Sequence, residues 1–342
     1  MILESDEVEQ PIEGGHSGRF LKEVVMTSGA HPLAMVRKRL ANSATTRGAV
    51  LLVHGFGQNR YTWHTSRRSF VNYLAQQGFD VFNADLRGHG RSRRFGAPRP
   101  RVLDEYIRHD MPAFVDEVKK LSGHDQIFLV GHSMGGLIAY SAAATVVRDS
   151  VRGIVTIGSP YRFGAGSRVL TALGMVAKGL GLTGMFNGNP IVPLRFIGEH
   201  LRDRSAMWDS RHLPMPIRAW LPGSIERDLL DEYLSRAFDR ASISTVLAIF
   251  RTRDEATLRS ADGMVNYGVA FEMLDRPLLV IGGTHDMLAP PASVRPAYDL
   301  SRSSDKKYRA FPLGHIDLIV GKTAPTTVWP LIGDWLLARC ES

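Results

Sequence analysis

The stretch FLVGHSMGG, residues 128–136, passes from an apolar run to a serine with a glycine two positions before it and another two positions after it. The apolar run is typical of a buried strand, and the small residues that follow predict a helix. In the pattern G-x-S-x-G between a strand and a helix, the serine sits on a sharp turn above the carboxyl end of the sheet. Side chains at Gly131 and Gly135 would collide across such a turn. The stretch therefore predicts a nucleophilic hydroxyl at Ser133.

Apolar runs alternate with amphipathic segments along most of the chain, which is typical of a mostly parallel sheet covered by helices. We expect an antiparallel opening pair of strands at residues 20–28 and 32–40, before the parallel strands begin. Further strands are predicted at 49–55, 79–86, 126–131, 151–159, 276–283 and 306–313. Helices are predicted near 66–77, 104–121, 134–147, 291–301 and 325–338.

The interval 161–272 interrupts this alternation and predicts an inserted helical cap over one end of the sheet. The core would then comprise residues 20–160 and 273–342, and the acidic residues 1–19 would form a loose extension. A helix is expected from Ile225, with Ser224 as its N-cap. An apolar, glycine-rich part of the cap, residues 169–186, is predicted to be a mobile lid, since interior glycines lower helix propensity.

Composition limits the function classes that fit. With 44% hydrophobic and 22% charged residues in 342, the chain reads as a globular protein. Its start lacks the pattern of a secretion signal, so we expect a cytoplasmic protein. Cys340 is the only cysteine, and no H-x-H or H-E-x-x-H pair occurs, so we expect no disulfide, metal site or other cofactor.

The formal charge of +8 raises the question of an anionic partner. Arginines are concentrated in one Gly- and Pro-rich stretch, which reads most simply as a solvated loop. It could also make peripheral contact with an anionic membrane surface or an anionic substrate such as an acyl-CoA. No aromatic-interleaved basic stripe or zinc-finger spacing supports nucleic acid binding. The arginines of this stretch are Arg87, Arg91, Arg93, Arg94, Arg99 and Arg101.

A serine hydroxyl needs a base to accept its proton and an acid to orient that base. On a sheet of this type the partners follow in the order serine, acid, histidine, each just after a strand. Asp286 in LLVIGGTHDMLAPP and His315 in YRAFPLGHIDLIVG fit this order. We therefore expect Ser133, Asp286 and His315 to form a catalytic triad.

Other residues compete weakly for these roles. His285 would point away from its neighbour in an extended segment, and His132 lies within the serine turn itself. Asp317 is the next candidate acid, although it reads better as a helix-start residue. The segment GSPYRFG, which follows another strand, carries no acid.

The loop in LLVHGFGQNR follows a core strand, and its H-G-x-G form allows a backbone N–H to turn toward the serine. Phe56 and Met134 are therefore the expected backbone donors of an oxyanion hole.

Together HGFGQNRYTW, DLRGHGRS, GHSMGG, GTHDMLAP and GHIDLIVG resemble the α/β-hydrolase superfamily, from about residue 49 to the C-terminus apart from the cap. The resemblance implies an α/β-hydrolase fold with a mostly parallel eight-stranded sheet, a cap and the triad named above. Within the superfamily the chain is similar to lipases and esterases, and more loosely to polyhydroxyalkanoate synthases. Those synthases use a cysteine nucleophile, whereas this chain has Ser133. Haloalkane dehalogenase-like and epoxide hydrolase-like members use aspartate.

We therefore expect a serine esterase or lipase that forms an acyl-enzyme with a small-molecule ester, and the apolar cap favours an apolar acyl chain. A thioesterase or acyltransferase acting on CoA-linked substrates is the alternative, favoured if the arginine stretch faces the pocket. A binding protein with an idle triad is the third hypothesis. The sequence identifies no substrate-binding residue.

Overall fold

The computed structural model describes residues 1–163, 165–168, 171–172, 175, 191–213, 217–251 and 258–340. Nine of the described strands form one sheet in the order β1-β2-β3-β5-β4-β6-β7-β10-β11, and β8 pairs with β9 in a separate small ribbon. The strands are β1 (Ile2–Glu13), β2 (His16–Met26), β3 (Ala34–Leu40), β4 (Ala49–Val53), β5 (Asp80–Asp85), β6 (Ile127–His132), β7 (Val151–Ile157), β8 (Ile191–Val192), β9 (Ala241–Ser242), β10 (Leu278–Gly283) and β11 (Lys306–Phe311).

The sheet is antiparallel at its N-terminal side and parallel elsewhere. Strands β1, β2 and β3 pair antiparallel, and β3 pairs antiparallel with β5. From β5 to β11 all neighbouring strands are parallel. The expected antiparallel opening pair is thus present as β2 and β3. Because parallel strands end at the same edge, the loops after β4, β6, β10 and β11 lie at one end of the sheet.

The N-terminal residues differ from the prediction, because residues 2–13 form β1 and residues 16–19 begin β2. The prediction of a loose extension at residues 1–19 is therefore wrong. The sheet has nine strands rather than the expected eight. Gly14 and Gly15 connect the two strands with φ of 58° and 82°, the left-handed backbone that two-residue hairpin turns need. The acidic residues that suggested a loose segment belong to β1, which is the edge strand of the sheet. Charged side chains on an edge strand discourage pairing with further strands.

Helices cover both faces of the sheet. The described helices are α1 (Phe70–Gln76), α2 (Gly90–Arg94), α3 (Met111–Ser122), α4 (Met134–Ala144), α5 (Leu194–Asp203), α6 (Ser205–Trp208), α7 (Arg227–Arg236), α8 (Ile243–Arg251), α9 (Tyr267–Glu272), α10 (Pro291–Val294), α11 (Pro296–Leu300), α12 (Asp317–Val320) and α13 (Ala324–Leu337). Helix α7 begins two residues later than predicted, with Glu226 rather than Ser224 as its N-cap. None of these helices combines the length and apolar character that a membrane crossing requires.

The core consists of two apolar layers separated by the sheet. Strand β4 shows why, since its side chains alternate between the two faces and all are fully buried. Leu51 packs in the layer that contains Phe114 of α3 and Ile138 of α4. Leu52 packs in the other layer, which contains Trp329 of α13. A strand buried on both faces explains the continuous apolar run in the sequence.

The described part of the segment between β7 and β10 contains α5 to α9 and the β8–β9 ribbon, and its role as an inserted cap stays a prediction. The exact division at residues 161 and 272 stays a prediction. The predicted lid, residues 169–186, lies outside the described residues except at positions 171, 172 and 175.

The arginine stretch is more ordered than the predicted solvated loop, because Gly90–Arg94 is helix α2. The Arg87 side chain is buried and bonded to Asp110, with 2.7 Å between Arg87 Nε and Asp110 Oδ1. Arg93 forms an ion pair with Asp239. Part of the predicted anion-binding charge is therefore neutralised within the protein. The remaining exposed arginines of the stretch are Arg94, Arg99 and Arg101.

A buried ion-pair cluster joins three strands of the sheet. Arg37 on β3 lies 2.8 Å from Glu23 on β2 and 2.7 Å from Asp80 on β5, and all three side chains are buried. Arg37 Nη2 also donates to the carbonyl of Leu121 at 2.9 Å. Two carboxylates therefore depend on one guanidinium.

Arg37→Met should lower the free energy of unfolding by about 3–5 kcal/mol, because it leaves two buried carboxylates without a counter-charge. The matched control is Arg19→Met, which removes an exposed ion pair with Glu7 on the same sheet and should cost less than about 1 kcal/mol. Urea denaturation followed by circular dichroism measures both. Equal losses in the two variants would contradict this assignment.

Candidate active site

Ser133 occupies the turn between β6 and α4. Among the described residues other than glycine, it alone has a positive φ, with φ of 54° and ψ of −123°. Such a conformation costs about 1–3 kcal/mol and persists only where the surroundings enforce it. Its amide donates to the carbonyl of Ile157 at the end of β7, at 2.9 Å. The serine is thus held in a strained turn by the neighbouring strand.

The two flanking glycines are required by close backbone approach. A Cβ on Gly131 would lie 2.4 Å from the amide nitrogen of Gly136, across the turn. A Cβ on Gly135 would lie 2.2 Å from the carbonyl oxygen of Val53, at the end of β4. The collision at Gly131 is the one expected from the sequence. The collision at Gly135 is with the neighbouring strand β4 rather than across the turn.

Asp286 and His315 lie in the loops after β10 and β11, and the structure brings them together. His315 Nδ1 is 2.7 Å from Asp286 Oδ2, and both side chains are buried. The other carboxylate oxygen, Asp286 Oδ1, accepts hydrogen bonds from the amides of Leu288 and Ala289 at 2.9 and 2.7 Å. The carboxylate is therefore fixed from both sides, and its geometry orients the imidazole.

Ser133 and His315 line the same cavity, of about 340 Å³. Phe56 and Met134, the predicted oxyanion-hole donors, line it as well. All predicted site residues except Asp286 therefore face one cavity, and Asp286 lies directly behind His315.

The rival residues occupy other positions. His285 is exposed to solvent. His132 is fully buried, and its ring centroid lies 4.6 Å from that of His315. Burial lowers the pKa of His132 well below its usual value, and the nearby His315 lowers it further, so this imidazole stays neutral. Asp317 begins α12, as its sequence position suggested.

The loop His54–Asn59 lies against the serine. A Cβ on Gly55 would be 3.1 Å from Ser133 Cβ, so this loop and the serine turn are in close contact. His54 Nε2 accepts a hydrogen bond from the amide of Leu86, which leaves Nδ1 as the donor to the carbonyl of Gly55 at 2.9 Å. Burial lowers the pKa of His54, consistent with this neutral tautomer.

The stretch DLRGHGRS supports that loop from behind. Asp85, which is fully buried, accepts hydrogen bonds from the amides of Arg60 and Arg91, each at 2.8 Å. The Arg60 guanidinium adds an ion pair at 2.8 Å. A Cβ on Gly90 would lie 2.3 Å from the Asp85 carboxylate, so only glycine fits there. The motif is therefore structural support for the loop at the serine.

The cavity wall is almost entirely apolar, and much of it comes from the segment between β7 and β10. Among the described residues that line it, the polar side chains are those of Ser133, His315 and Gln58. Such a cavity favours an apolar ligand whose reactive group lies at the polar end. Within the described ranges no cluster of His, Cys, Asp or Glu side chains is suited to a metal ion. The described apolar residues that this segment contributes are Pro160, Phe163, Leu194, Ile217, Ala219, Phe238 and Ile249.

Two residues near the site were missed by the sequence argument. Gly158, at the end of β7, has a φ of 55°, and a Cβ there would lie 3.2 Å from both Asp286 Oδ2 and His315 Nδ1. Gln58 lies in the cavity wall beside the serine. Gly158 is the first residue of the segment GSPYRFG, in which the sequence indicates only that no acid is present. The pattern H-G-x-G-Q does not indicate what the side chain of Gln58 contacts.

Asp317 joins the histidine loop to the segment between β7 and β10. Its Oδ2 accepts hydrogen bonds from the amides of Gly314 and Leu221, both at 2.7 Å. Ile316 N also donates to the carbonyl of Ala219. Burial raises the pKa of Asp317 to about 6, against the lowering effect of these amides.

This pKa predicts a pH dependence of stability. The folded protein holds the Asp317 proton more tightly than the unfolded chain does, so this group stabilises the fold at low pH. That contribution falls as pH rises from about 4 to about 6, by at most about 3 kcal/mol. Asp317→Asn keeps the acceptor oxygen, removes the titration and should flatten this part of the profile. Urea unfolding at pH 4 and pH 7 measures it.

The control for this measurement is Asp299→Asn, which changes an exposed carboxylate paired with Arg295. It should retain the pH dependence of the wild type. If Asp317→Asn and the wild type lose the same stability between pH 4 and pH 7, the buried carboxyl does not titrate in this range.

Comparison with known proteins identifies a family. Residues 48–322 match the family model of the alpha/beta hydrolase fold. A poly(3-hydroxyalkanoate) polymerase subunit from Haloferax mediterranei is 28% identical over 80% of this chain, which spans only 55% of that protein. Lipase member N from Mus musculus is 24% identical over 84% of this chain and 78% of its own length. The crystal structure of monoglyceride lipase from Saccharomyces cerevisiae has a TM-score of 0.61 at 16% identity, covering 92% of this chain and 96% of that chain.

Proposed function

The chain belongs to the alpha/beta hydrolase fold family, and from this premise we propose that it is a serine hydrolase that cleaves carboxylic esters of apolar acyl groups. The observation that carries the proposal is the 2.7 Å hydrogen bond between Asp286 and His315 at the wall of the cavity that contains Ser133. A nucleophile, a base and an orienting acid are the three parts that acyl transfer through serine requires.

In the proposed acylation step, Ser133 Oγ attacks the carbonyl carbon of the ester while His315 Nε2 accepts the hydroxyl proton. The carbonyl oxygen becomes an oxyanion, for which the amides of Phe56 and Met134 are the proposed donors. The C–O bond to the alcohol then breaks, and His315 returns the proton to the leaving oxygen. Water repeats the sequence on the acyl-enzyme, which releases the acid and regenerates the serine.

Asp286 has two roles in this scheme. Its bond to His315 Nδ1 keeps the proton on that nitrogen, so that Nε2 is free to accept the serine proton. Its charge also stabilises the imidazolium that forms during each step. Two backbone amides donate hydrogen bonds to its other oxygen and hold the carboxylate in place. They leave Asp286 Oδ2 to His315.

The substrate class follows from the cavity. A volume of about 340 Å³ with a nearly continuous apolar wall suits a hydrocarbon acyl chain, with the ester carbonyl at Ser133. The names of two similar proteins, lipase member N and monoglyceride lipase, refer to lipid esters, which supports the same substrate class.

A second candidate is transfer of the acyl group to an acceptor other than water, or from a thioester. It is favoured by the similarity to poly(3-hydroxyalkanoate) polymerase subunits, although the chain spans just over half of their length. The residue at the sharp turn between β6 and α4, which we call the elbow, argues against a polymerase, because it is Ser133 and not the cysteine expected of those synthases. The one cysteine of the sequence, Cys340, lies far from the elbow in sequence. Assays with acyl-CoA, with and without an added alcohol, separate this candidate from ester hydrolysis.

A fluorophosphonate probe should label Ser133 and no other serine, because only this hydroxyl has the proposed base and oxyanion donors. Ser133→Ala should abolish labelling and lower ester turnover by about 10⁴-fold or more. Intact-protein and peptide mass spectrometry locate the label. The control is Ser159→Ala, which removes a nearby buried hydroxyl and should leave labelling intact. Labelling that persists without Ser133 would overturn the proposed nucleophile.

The value of kcat/KM for p-nitrophenyl esters should rise at least 10-fold from acetyl to octanoyl, since each buried methylene contributes up to about 0.8 kcal/mol. Steady-state kinetics on a chain-length series gives the measurement. Equal values for the two esters would show that the apolar cavity does not hold the acyl chain. A preference for acyl-CoA over every p-nitrophenyl ester would favour the second candidate.

A further inference from the structure

The loop beside the serine, Gly55–Asn59, is bonded to a segment of the cap. The segment comprises Tyr233–Asp239, at the end of α7, and we call it the strap. Asn59 N donates to the carbonyl of Ala237 at 3.0 Å, and Asp239 N donates to the carbonyl of Gly57 at 2.7 Å. Gln58 and Phe238 form an antiparallel bridge between these bonds. The loop therefore pairs with the strap as a short sheet.

Side chains extend this pairing. Asn59 Nδ2 donates to the carbonyl of Arg236 at 2.9 Å. Gln58 Nε2 donates to the hydroxyl of Tyr233 at 2.8 Å, and Gln58 Oε1 accepts from the amide of Gly55 at 3.1 Å. Gln58 and Tyr233 are both buried, so these bonds are shielded from competing water. The amide of Gln58 thus connects a hydroxyl of the cap to the backbone one residue before Phe56.

The strap is also part of the cavity wall. Phe238 lines the cavity beside Gln58, and its ring packs edge-on against Tyr233 with 6.2 Å between centroids. On the other side, Gly57 has a φ of 61° and leaves no room for a side chain, because Leu194 of α5 occupies that space. The strap therefore both supports the loop and forms part of the wall that would contact an acyl chain.

We propose that Gln58, held by Tyr233, is a positioning residue that sets the direction of the Phe56 amide in the oxyanion hole. The inference rests on the proposed function, in which that amide binds the developing oxyanion. Gln58 holds the amide of Gly55 through its Oε1. The orientation of Gly55 in turn sets the direction of the next peptide unit, which carries the Phe56 amide. Loss of the bond frees the loop to rotate, which weakens transition-state binding without removing the cavity wall.

The test compares Gln58→Met and Tyr233→Phe with the wild type. Methionine keeps the length and unbranched shape of glutamine but makes none of its three hydrogen bonds, which join it to Gly55, Tyr233 and His132 Nδ1. Phenylalanine removes only the bond from Gln58 to the tyrosine hydroxyl and keeps the ring that packs on Phe238. Both variants should lower kcat about 10-fold or more on the best ester, with KM changed less than about 2-fold, because the affected interaction forms only in the transition state. Gln58→Glu retains an acceptor for Gly55 and for the tyrosine hydroxyl, and should recover part of the lost kcat.

The matched control is Tyr140→Phe, which removes another buried tyrosine hydroxyl, bonded to Thr156 and remote from the loop. It should leave kcat unchanged. An equal fall in kcat in this control would reduce the effect to general destabilisation and overturn the proposal. A rise in KM with unchanged kcat would also overturn it, because Gln58 would then be a substrate contact only.

A second readout is independent of turnover. Hydrogen–deuterium exchange of a peptide spanning residues 55–59 should be faster in Tyr233→Phe than in the wild type, and unchanged in Tyr140→Phe. If the wild type hydrolyses no ester, the proposed function fails, and this exchange still decides whether the strap holds the loop. Unchanged exchange in Tyr233→Phe overturns the positioning role whatever the activity.

Discussion

The close approach of three backbone segments at Ser133 is the constraint on which the rest of the site depends. Strand β4 ends against Gly135, and the turn folds back so tightly that Gly131 meets Gly136. This contact holds the serine at a positive φ that residues other than glycine rarely adopt. It also sets the distance between the serine turn and the loop after β4, since both leave the sheet at the same edge. The strain in one residue is therefore sustained by the packing of the two central strands.

The loops around the serine are held by buried polar bonds rather than by packing alone. Asp85 accepts the amide of Arg60, next to the loop after β4, and that of Arg91 in α2, whereas the strap bonds to the loop itself. Asp317 in turn bonds the histidine loop to Leu221, in the segment between β7 and β10. Buried hydrogen bonds of this kind are costly to break one at a time, because each lost partner leaves an unsatisfied group. The arrangement favours a preorganised site, which is what electrostatic stabilisation of a transition state requires.

The sequence was most informative where local geometry restricts residue type. The elbow glycines, the apolar run of β4, and the acid and histidine placed just after strands all follow from rules that act within a few residues. Strand β1 was missed because its acidic residues argued for a solvated segment, whereas an edge strand tolerates charge on its open face. The sequence places Arg87 in a solvated loop, yet its side chain is buried and pairs with Glu105 and Asp110, 18 and 23 positions later. Gln58 could not be identified either, since its partner Tyr233 lies 175 positions away. Long-range pairing of this kind leaves no local pattern.

The strap has a consequence for how this fold diversifies. Residues 233–239 lie between β7 and β10 in the sequence but share backbone hydrogen bonds with the loop after β4. Recombination that replaces the whole insertion would discard a partner of the core. Residues before the strap also bond to the core, since the amide of Leu221 donates to Asp317. Any replacement of this segment must therefore supply partners for both the loop after β4 and the histidine loop.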